Sequence, residues 1–327
     1  MKTNHSNIWN SDLETIDREE AQEANARSLA FMWDLVWKGG TDLHTHTNTS
    51  DGKSSPAQLV QEVMANDLKS FALTDHDTIQ GNEIISTVYD KLSQLRMDLP
   101  ICVPGVEISC DYKGQEVHLL AYYPDGNVRR IDDFLAQRRR DRDERNRLIC
   151  QKLQDLGIPV SYEDLSNEGG YVVGRIHLAQ LLIRKGIVTS VDEAFDTYLS
   201  EGKVAYVPRK RPPAKEAIQA ILETGGVPVL AHPALYKNWL HGDQAMTPAE
   251  FAETLETFKT FGLQGVEVIH GETGEEDSDR VCTAAAALDL LPTVGSDYHG
   301  SHKPWICLRH GSDDYRPFLE SHYGARA

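Results

Sequence analysis

From residue 40 onward the chain alternates short apolar runs with amphipathic stretches. The runs are Thr41–His44, Ser70–Thr74, Ile101–Ile108, Glu116–Tyr123, Val227–Ala231, Gly265–Ile269 and Leu291–Gly295, each with a polar residue at or just after its end. Apolar positions at helical spacing fill 56–66, 80–97, 214–224, 248–261 and 276–289. Strands that alternate with helices predict a parallel sheet. Seven such units are too many for a small open sheet and predict an α/β barrel, in which chemistry gathers at the C-terminal ends of the strands. Those ends carry His44, His46, Asp75, His76, Glu107, His118, His232, His270, Asp297 and His299.

The rhythm breaks over 126–213. A highly charged helix, IDDFLAQRRRDRDERNRLICQKLQDLG, stops at Gly157 with Pro159 beyond it. Further helices are predicted around 175–185 and 191–200, so the segment reads as a helical insertion between the fourth and fifth strands. The Arg138–Arg140 run is interleaved with acidic residues and reads as a solvated helix face. Ahead of the first strand, residues 11–38 predict a helix, capped by Ser11 or Asp12 and ended by Gly39-Gly40. Ile16, Leu29, Met32, Trp33, Val36 and Trp37 give it an apolar side. It is expected to be an arm packed over the main domain, with an oligomer contact as the alternative. The chain thus divides into an arm (1–39), a first barrel part (40–125), a helical insertion capping the substrate (126–213), and a second barrel part with a C-terminal tail (214–327).

Charge narrows the partners. The 327 residues hold 33 Lys and Arg against 50 Asp and Glu, a formal net charge of −17. A field of that sign disfavours long duplex nucleic acid. A small anion is still compatible if metals or local Arg and Lys invert the sign at the site. No apolar run is long enough to span a membrane, and the acidic N-terminus does not read as a signal peptide. Cys102, Cys110, Cys150, Cys282 and Cys307 are odd in number and lack CxxC spacing, which predicts a reducing cytoplasm rather than disulfides.

The 13 histidines carry the chemistry. In TDLHTHTNTSDG, His44 and His46 are two apart and share one face of a strand. Asp51 follows in a turn, where an Asx-turn is the plain alternative. In ALTDHDT, a carboxylate from Asp75 or Asp77 could orient His76 by accepting its second N–H, while Asp77 or Thr78 could cap the next helix. Glu107 sits in an apolar run, where a charge needs a partner. His118, His232, Asp297 and His299 occupy further strand ends. Each motif alone has a structural explanation. Six imidazoles and three carboxylates at one barrel mouth are explained together by metal ligation.

DLHTHTNTSDG, ALTDHD, GVEIS, EVHLLAY, LAHP and GSDYHG, in this order, resemble the motifs of the PHP (polymerase and histidinol phosphatase) phosphoesterases over roughly 40–125 and 214–300. The resemblance implies a distorted seven-stranded barrel and three divalent ions (Mn, Fe or Zn). The first ion would take His44, His46, Glu107 and Asp297. The second would share Glu107 and add His118 and His232, and the third would take Asp51, His76 and His299. YVVGRIHLAQLL and GKVAYVP resemble the subgroup that includes nucleoside 3',5'-bisphosphate phosphatases, which implies that Arg175 and His177 face the substrate phosphate. The expected activity is hydrolysis of a small nucleotide's phosphate ester by a metal-bridging hydroxide. The alternatives are a phosphodiesterase on short oligonucleotide ends or cyclic phosphodiesters and, more remotely, a non-catalytic metal-stabilised module. Asp75 and Asp77 are expected to support the ligands, and His270 to be either structural or in reach of substrate. His241, His302, His310 and His322 are expected at the surface.

Overall fold

The computed structural model describes residues 16–167 and 170–325. Seven strands follow one another around a single sheet: β1 (Thr41–Thr45), β2 (Ser70–Leu73), β3 (Ile101–Tyr112), β4 (Gln115–Tyr122), β5 (Val227–Leu230), β6 (Gly265–Ile269) and β7 (Leu291–Val294). The sheet curls into a nearly closed barrel. Between β7 and β1 the seam is held at one end, where Asp297 N–H donates to His44 O at 2.9 Å and His46 N–H donates to Tyr298 O at 2.8 Å. The barrel helices are α2 (Pro56–Ala65), α3 (Gln80–Gln94), α8 (Ala214–Glu223), α9 (Pro248–Phe261) and α10 (Glu275–Ala287). They bury Leu59, Ile85, Ile218, Phe258 and Val281 against strand residues such as Phe71, Val106 and Val266.

The expectation of an all-parallel sheet fails at β4, which pairs antiparallel with both β3 and β5. A parallel crossover needs about a dozen residues, and only Lys113-Gly114 separates β3 from β4. Both have positive φ, 53° and 83°, as a two-residue hairpin turn requires. His118 therefore reaches the barrel mouth from the N-terminal half of its strand, not from a C-terminal end.

The first helix, α1 (Arg18–Lys38), begins later than its pattern predicted. Asp17 caps it, accepting from Glu19 N–H and Glu20 N–H, and Glu20 reaches back to the cap. The expected caps, Ser11 and Asp12, lie outside the described residues. The helix packs on the barrel end remote from the ligands, where Asn25 Nδ2 donates to Gly226 O at 2.6 Å and Gln264 Oε1 at 2.8 Å. Trp33 and Trp37 meet Tyr323 of α11 (Arg316–Tyr323) edge to face. The segment between β4 and β5 carries α4 (Asp132–Asp155), a short α5 (Tyr162–Ser166) that the pattern did not reveal, α6 (Arg175–Arg184) and α7 (Val191–Ala194), which continues into a π turn at Phe195–Leu199. It has its own apolar cluster, including Ile149, Leu153, Leu178, Leu182 and Leu199. Among the described residues no helix is long and apolar enough to cross a membrane, and all five cysteines are free.

Candidate metal centre

The nine residues expected as ligands converge at one mouth of the barrel. His44 and His46, i and i+2 around the end of β1, bring their Nε2 atoms within 3.1 Å of each other. The Glu107 carboxylate divides its oxygens between two sides. Oε2 lies 3.3, 3.2 and 3.2 Å from His44 Nε2, His46 Nε2 and His76 Nδ1, and Oε1 lies 2.8 and 3.1 Å from His118 Nδ1 and His232 Nε2. Asp297 Oδ1 is 3.4 and 3.2 Å from His44 and His46 Nε2. Asp51 stands on the far side of His46, 3.5 Å from His76 Nε2 and 3.3 Å from His299 Nε2. The grouping differs from the resemblance: His76 packs close to Glu107 and His118 as well as to the Asp51 group, His46 joins Asp51, His76 and His299, and His44 also groups with Glu267 and His270.

The backbone is bent to place these groups. His232 and Asp297 have φ of 28° and 61°, and Asp77, beside His76, has 54°. Side chains rarely occupy that region, and such strain collects at functional sites. Gly295 lies so close to His44 and the Glu267 carboxylate that any Cβ would collide with both.

Protonation in the bare cluster tests whether metal ions fit it. Burial opposes charge on His46 and His118, yet Asp297 and Glu107 lift His46 to about 9, and Glu107 with Glu116 lifts His118 to about 10. Burial opposes charge on His44 too, but Glu267, Glu107 and Asp297 raise it well above the ordinary imidazole range. At His76 burial, helped by the nearby His46 and His118, outweighs Glu107 and Asp51 and brings it down to about 4, and burial with His118 and His270 also lowers His232. Burial would raise Asp51, Glu107 and Asp297, but the surrounding imidazoles hold all three well below the usual carboxylate range. Protons thus do the neutralising that cations would do, and cation binding displaces them. Buried nitrogens on His46, His76, His232 and His270 have no hydrogen-bond partner. An all N/O donor set with orphaned imidazole nitrogens fits divalent Mn, Fe or Zn.

Several supporting residues escaped the sequence reading. Glu267 of β6 takes His44 Nδ1 at 3.0 Å and the His232 N–H at 2.8 Å, which points the His44 Nε2 lone pair at the centre. It lies in an apolar run, GVEVIH, the same signal that singled out Glu107. Asp42 accepts from Ser296 N–H and Arg309 N–H at 2.9 and 3.0 Å. Lys303 Nζ holds Asp297 Oδ2 at 2.5 Å.

Other expectations need correction. Asp75 does not orient an imidazole. Its oxygens take Thr47 N–H at 2.7 Å and the hydroxyls of Thr47, Thr49 and Ser50, so it fixes the turn that carries Asp51. Asp77 caps no helix and is clamped by Arg142 and Arg209 at 2.6 and 2.5 Å. Of the Arg138–Arg140 run, Arg140 is exposed as expected, but Arg138 and Arg139 are not a free solvated face. Arg138 pairs with Asp141, and Arg139 bonds both Asp132 and the Asp77 carbonyl. His302 is half-buried, with Nδ1 2.8 Å from Asp51 O, and His322 packs on Phe318 and meets Asp279. His241 and His310 are exposed as expected. His270 is buried with Nε2 3.6 Å from Asp297 Oδ2, and its Nδ1 accepts Glu272 N–H.

Arg175 and His177 open α6. The His177 Nδ1 accepts Gly174 N–H at 2.9 Å, so the neutral ring carries its proton on Nε2. The Arg175 guanidinium lies over the Phe195 ring and donates to Leu199 O at 3.4 Å. It lines a cleft of about 400 Å³ with Glu116, Arg145, Arg209 and Arg211.

The sequence profile of the PHP domain matches residues 42–224. The chain is 32% identical to the 5'-3' exoribonuclease Rnm of Salmonella typhimurium, over 82% of this chain and 87% of that protein. It is 28% identical to the 3',5'-nucleoside bisphosphate phosphatase of Chromobacterium violaceum, over 79% of this chain and 86% of that protein. A crystal structure from Bifidobacterium adolescentis, described as a metal-dependent phosphoesterase, superposes with a TM-score of 0.69 at 30% identity and covers 86% of this chain and 96% of its own.

Proposed function

This chain belongs to the PHP domain family, and on that footing we propose that it cleaves a phosphate ester of a small nucleotide of the 3',5'-bisphosphate kind. It is a hydrolase acting on phosphate ester bonds, as its relatives are. The observation that carries the narrower reading is the meeting of a buried His/Asp/Glu centre with a basic cleft, separated by one side chain. Glu116 lines the cleft and lies 3.6 Å from His118.

In this reading His44, His46, Glu107 and Asp297 hold one ion, Glu107, His118 and His232 a second, and Asp51, His76 and His299 a third. When bound, the ions supply a water of lowered pKa and fixed positive charge for the phosphoryl oxygens. The two-sided carboxylate of Glu107 sets the spacing of the first two sites. Glu267 keeps His44 in the tautomer that can ligate. Arg175 grips a phosphate oxygen, since a guanidinium fork matches that geometry. His177, with Nδ1 occupied, offers its Nε2 proton to the phosphate or the leaving oxygen.

A second reading, cleavage at the end of a short RNA, is favoured by the 32% identity to the exoribonuclease. One experiment tests both. Protein reconstituted in turn with Mn, Fe and Zn is given a nucleoside 3',5'-bisphosphate, a nucleoside monophosphate, a cyclic nucleotide, a 5'-phosphorylated dinucleotide and histidinol phosphate. Fastest release from the bisphosphate supports the first reading, and fastest release from the dinucleotide supports the second. Preference for histidinol phosphate, or no hydrolysis at all, defeats both.

A further inference from the structure

The turn that carries Asp51 is held from two sides. On the barrel side Asp75 takes the Thr47 amide and the hydroxyls of Thr47, Thr49 and Ser50. On the other side its carbonyls meet the helical insertion and the loop after β7. Val172 N–H of the insertion donates to Thr49 O at 3.0 Å. Gly170 passes so close to Asn48 that a Cβ there would overlap the Asn48 carbonyl. The carbonyl of Asp51 itself is taken by His302, whose Nδ1 lies 2.8 Å away. A carbonyl only accepts, so His302 Nδ1 carries a proton. The other ring nitrogen, Nε2, accepts from the Gln180 amide nitrogen of α6 at 3.1 Å. A path of two hydrogen bonds thus runs from the insertion through His302 to the main chain of Asp51.

His302 closes the short turn Gly300–His302 that follows His299. Residues three apart in such a turn lie on one side of it. One segment therefore grips Asp51 at both ends, with His299 Nε2 3.3 Å from its carboxylate and His302 Nδ1 on its carbonyl. Asp51 needs this support more than Glu107 does. Glu107 lies within β3, whereas Asp51 lies in a loop between β1 and α2, and a site on a loop is only as precise as the contacts that fix it. Gln180 sits on α6 among the buried Leu178, Ala179, Leu181 and Leu182, so its helix is anchored in the insertion's apolar cluster.

We propose that His302 is a positioning residue for Asp51 and that Gln180 holds it in place, so that the helical insertion helps to build the third metal site. This rests on the reading in which Asp51, His76 and His299 hold an ion. It adds to that reading two residues that touch neither the ion nor the substrate.

The test titrates metal-free protein with Mn in chelator-buffered solution and records the Tm of each metal-free protein. Wild type is compared with Gln180→Leu, His302→Leu, His302→Asn and the double variant Gln180→Leu, His302→Leu. His302→Leu should weaken one of three ions by about 10-fold, the low end for a residue that supports a metal ligand, and leave the other two within about twofold. His302→Asn keeps a donor near the place of Nδ1 and should recover most of that loss. Gln180→Leu should weaken the same ion by less. Because Gln180 acts through His302, the double variant should lose no more than His302→Leu alone. At saturating Mn, kcat should return to within about threefold of wild type in every variant. Equal weakening of all three ions, additive losses in the double variant, or a lowered Tm with every affinity unchanged would overturn the positioning role. Should His302→Leu fail to fold, Gln180→Leu decides alone, and unchanged affinity for all three ions overturns the proposal. A wild type that never takes up a third ion would instead overturn the metal reading on which it rests.

Discussion

Glu267→Gln isolates the support of the metal centre from the ligands themselves. The wild-type carboxylate is 2% exposed and serves two buried donors at once, His44 Nδ1–H at 3.0 Å and the His232 amide at 2.8 Å. An amide of the same shape has one acceptor oxygen; placed at Oε2 it still lies 3.2 Å from His44 Nδ1, but the shorter contact at Oε1 then meets an NH2 group and the charge is gone. Losing one hydrogen bond to a charged group costs about 1.5–3 kcal/mol. At about 1.4 kcal/mol per factor of ten, that is roughly 10- to 150-fold in an equilibrium constant. The loss should fall on metal affinity, because the carboxylate is what keeps the His44 Nε2 lone pair directed at the ion. Supporting partners of metal-bound histidines typically contribute about 10- to 100-fold, the same range. The assay is a titration of apo protein with Mn or Zn in chelator-buffered solution, followed by turnover at saturating metal. The expected result is a weakened metal Kd with turnover largely recovered at saturation. A Kd within about twofold of wild type would refute the orienting role.

Three further perturbations have expected outcomes. Glu107→Gln removes the carboxylate that faces both halves of the centre, so activity should fall by several orders of magnitude in steady-state assays with the metal content reduced. Gly295→Ala forces a methyl group against His44 and Glu267, so the variant should lose bound metal in elemental analysis while retaining the helical circular dichroism of the fold. Asp77→Asn leaves Arg142 and Arg209 without their shared counter-charge, and breaking a buried ion pair from one side costs about 3–5 kcal/mol. Denaturant unfolding should show that loss in the variant, and an unchanged midpoint would remove the clamp from the account.

The barrel was legible because its strands are short, apolar and closed by polar residues, so each of the seven runs reappears as a strand within a few residues. Strand direction was less legible. Reading β3 as ending at Ile108 hid the Lys113-Gly114 turn, and with it the antiparallel β4. The candidate ligands stood out because a titratable side chain at the end of an apolar strand needs a partner, and cations are a partner that imidazoles and carboxylates can share. Glu267 was hidden by the same residue pattern that exposed Glu107, since nothing in GVEVIH distinguishes a residue that supports a ligand from an ordinary charged position. Arg145 was harder still. In α4 it is surrounded by Asp, Glu and Arg, and only the phase of Leu135, Ile149 and Leu153 places it inward. Asp75 was misread for a physical reason: a carboxylate next to a histidine in sequence alternates to the other side of the chain, where it met the Thr47–Ser50 hydroxyls.

The join between β7 and β1 has a consequence for the life of the chain without its metals. Among the described residues no ladder ties these two strands, and two of the bonds that bring them together, Asp297 N–H to His44 O and His46 N–H to Tyr298 O, each involve a candidate ligand, beside Ser296 N–H to Asp42. Removal of bound ions is expected to loosen this join, where the ring can open into a sheet with two unpaired edges. Exposed edges are templates for pairing with another molecule. The ions in this reading guard against edge-to-edge aggregation, and chelated protein should self-associate through β1 and β7 before the rest of the barrel unfolds.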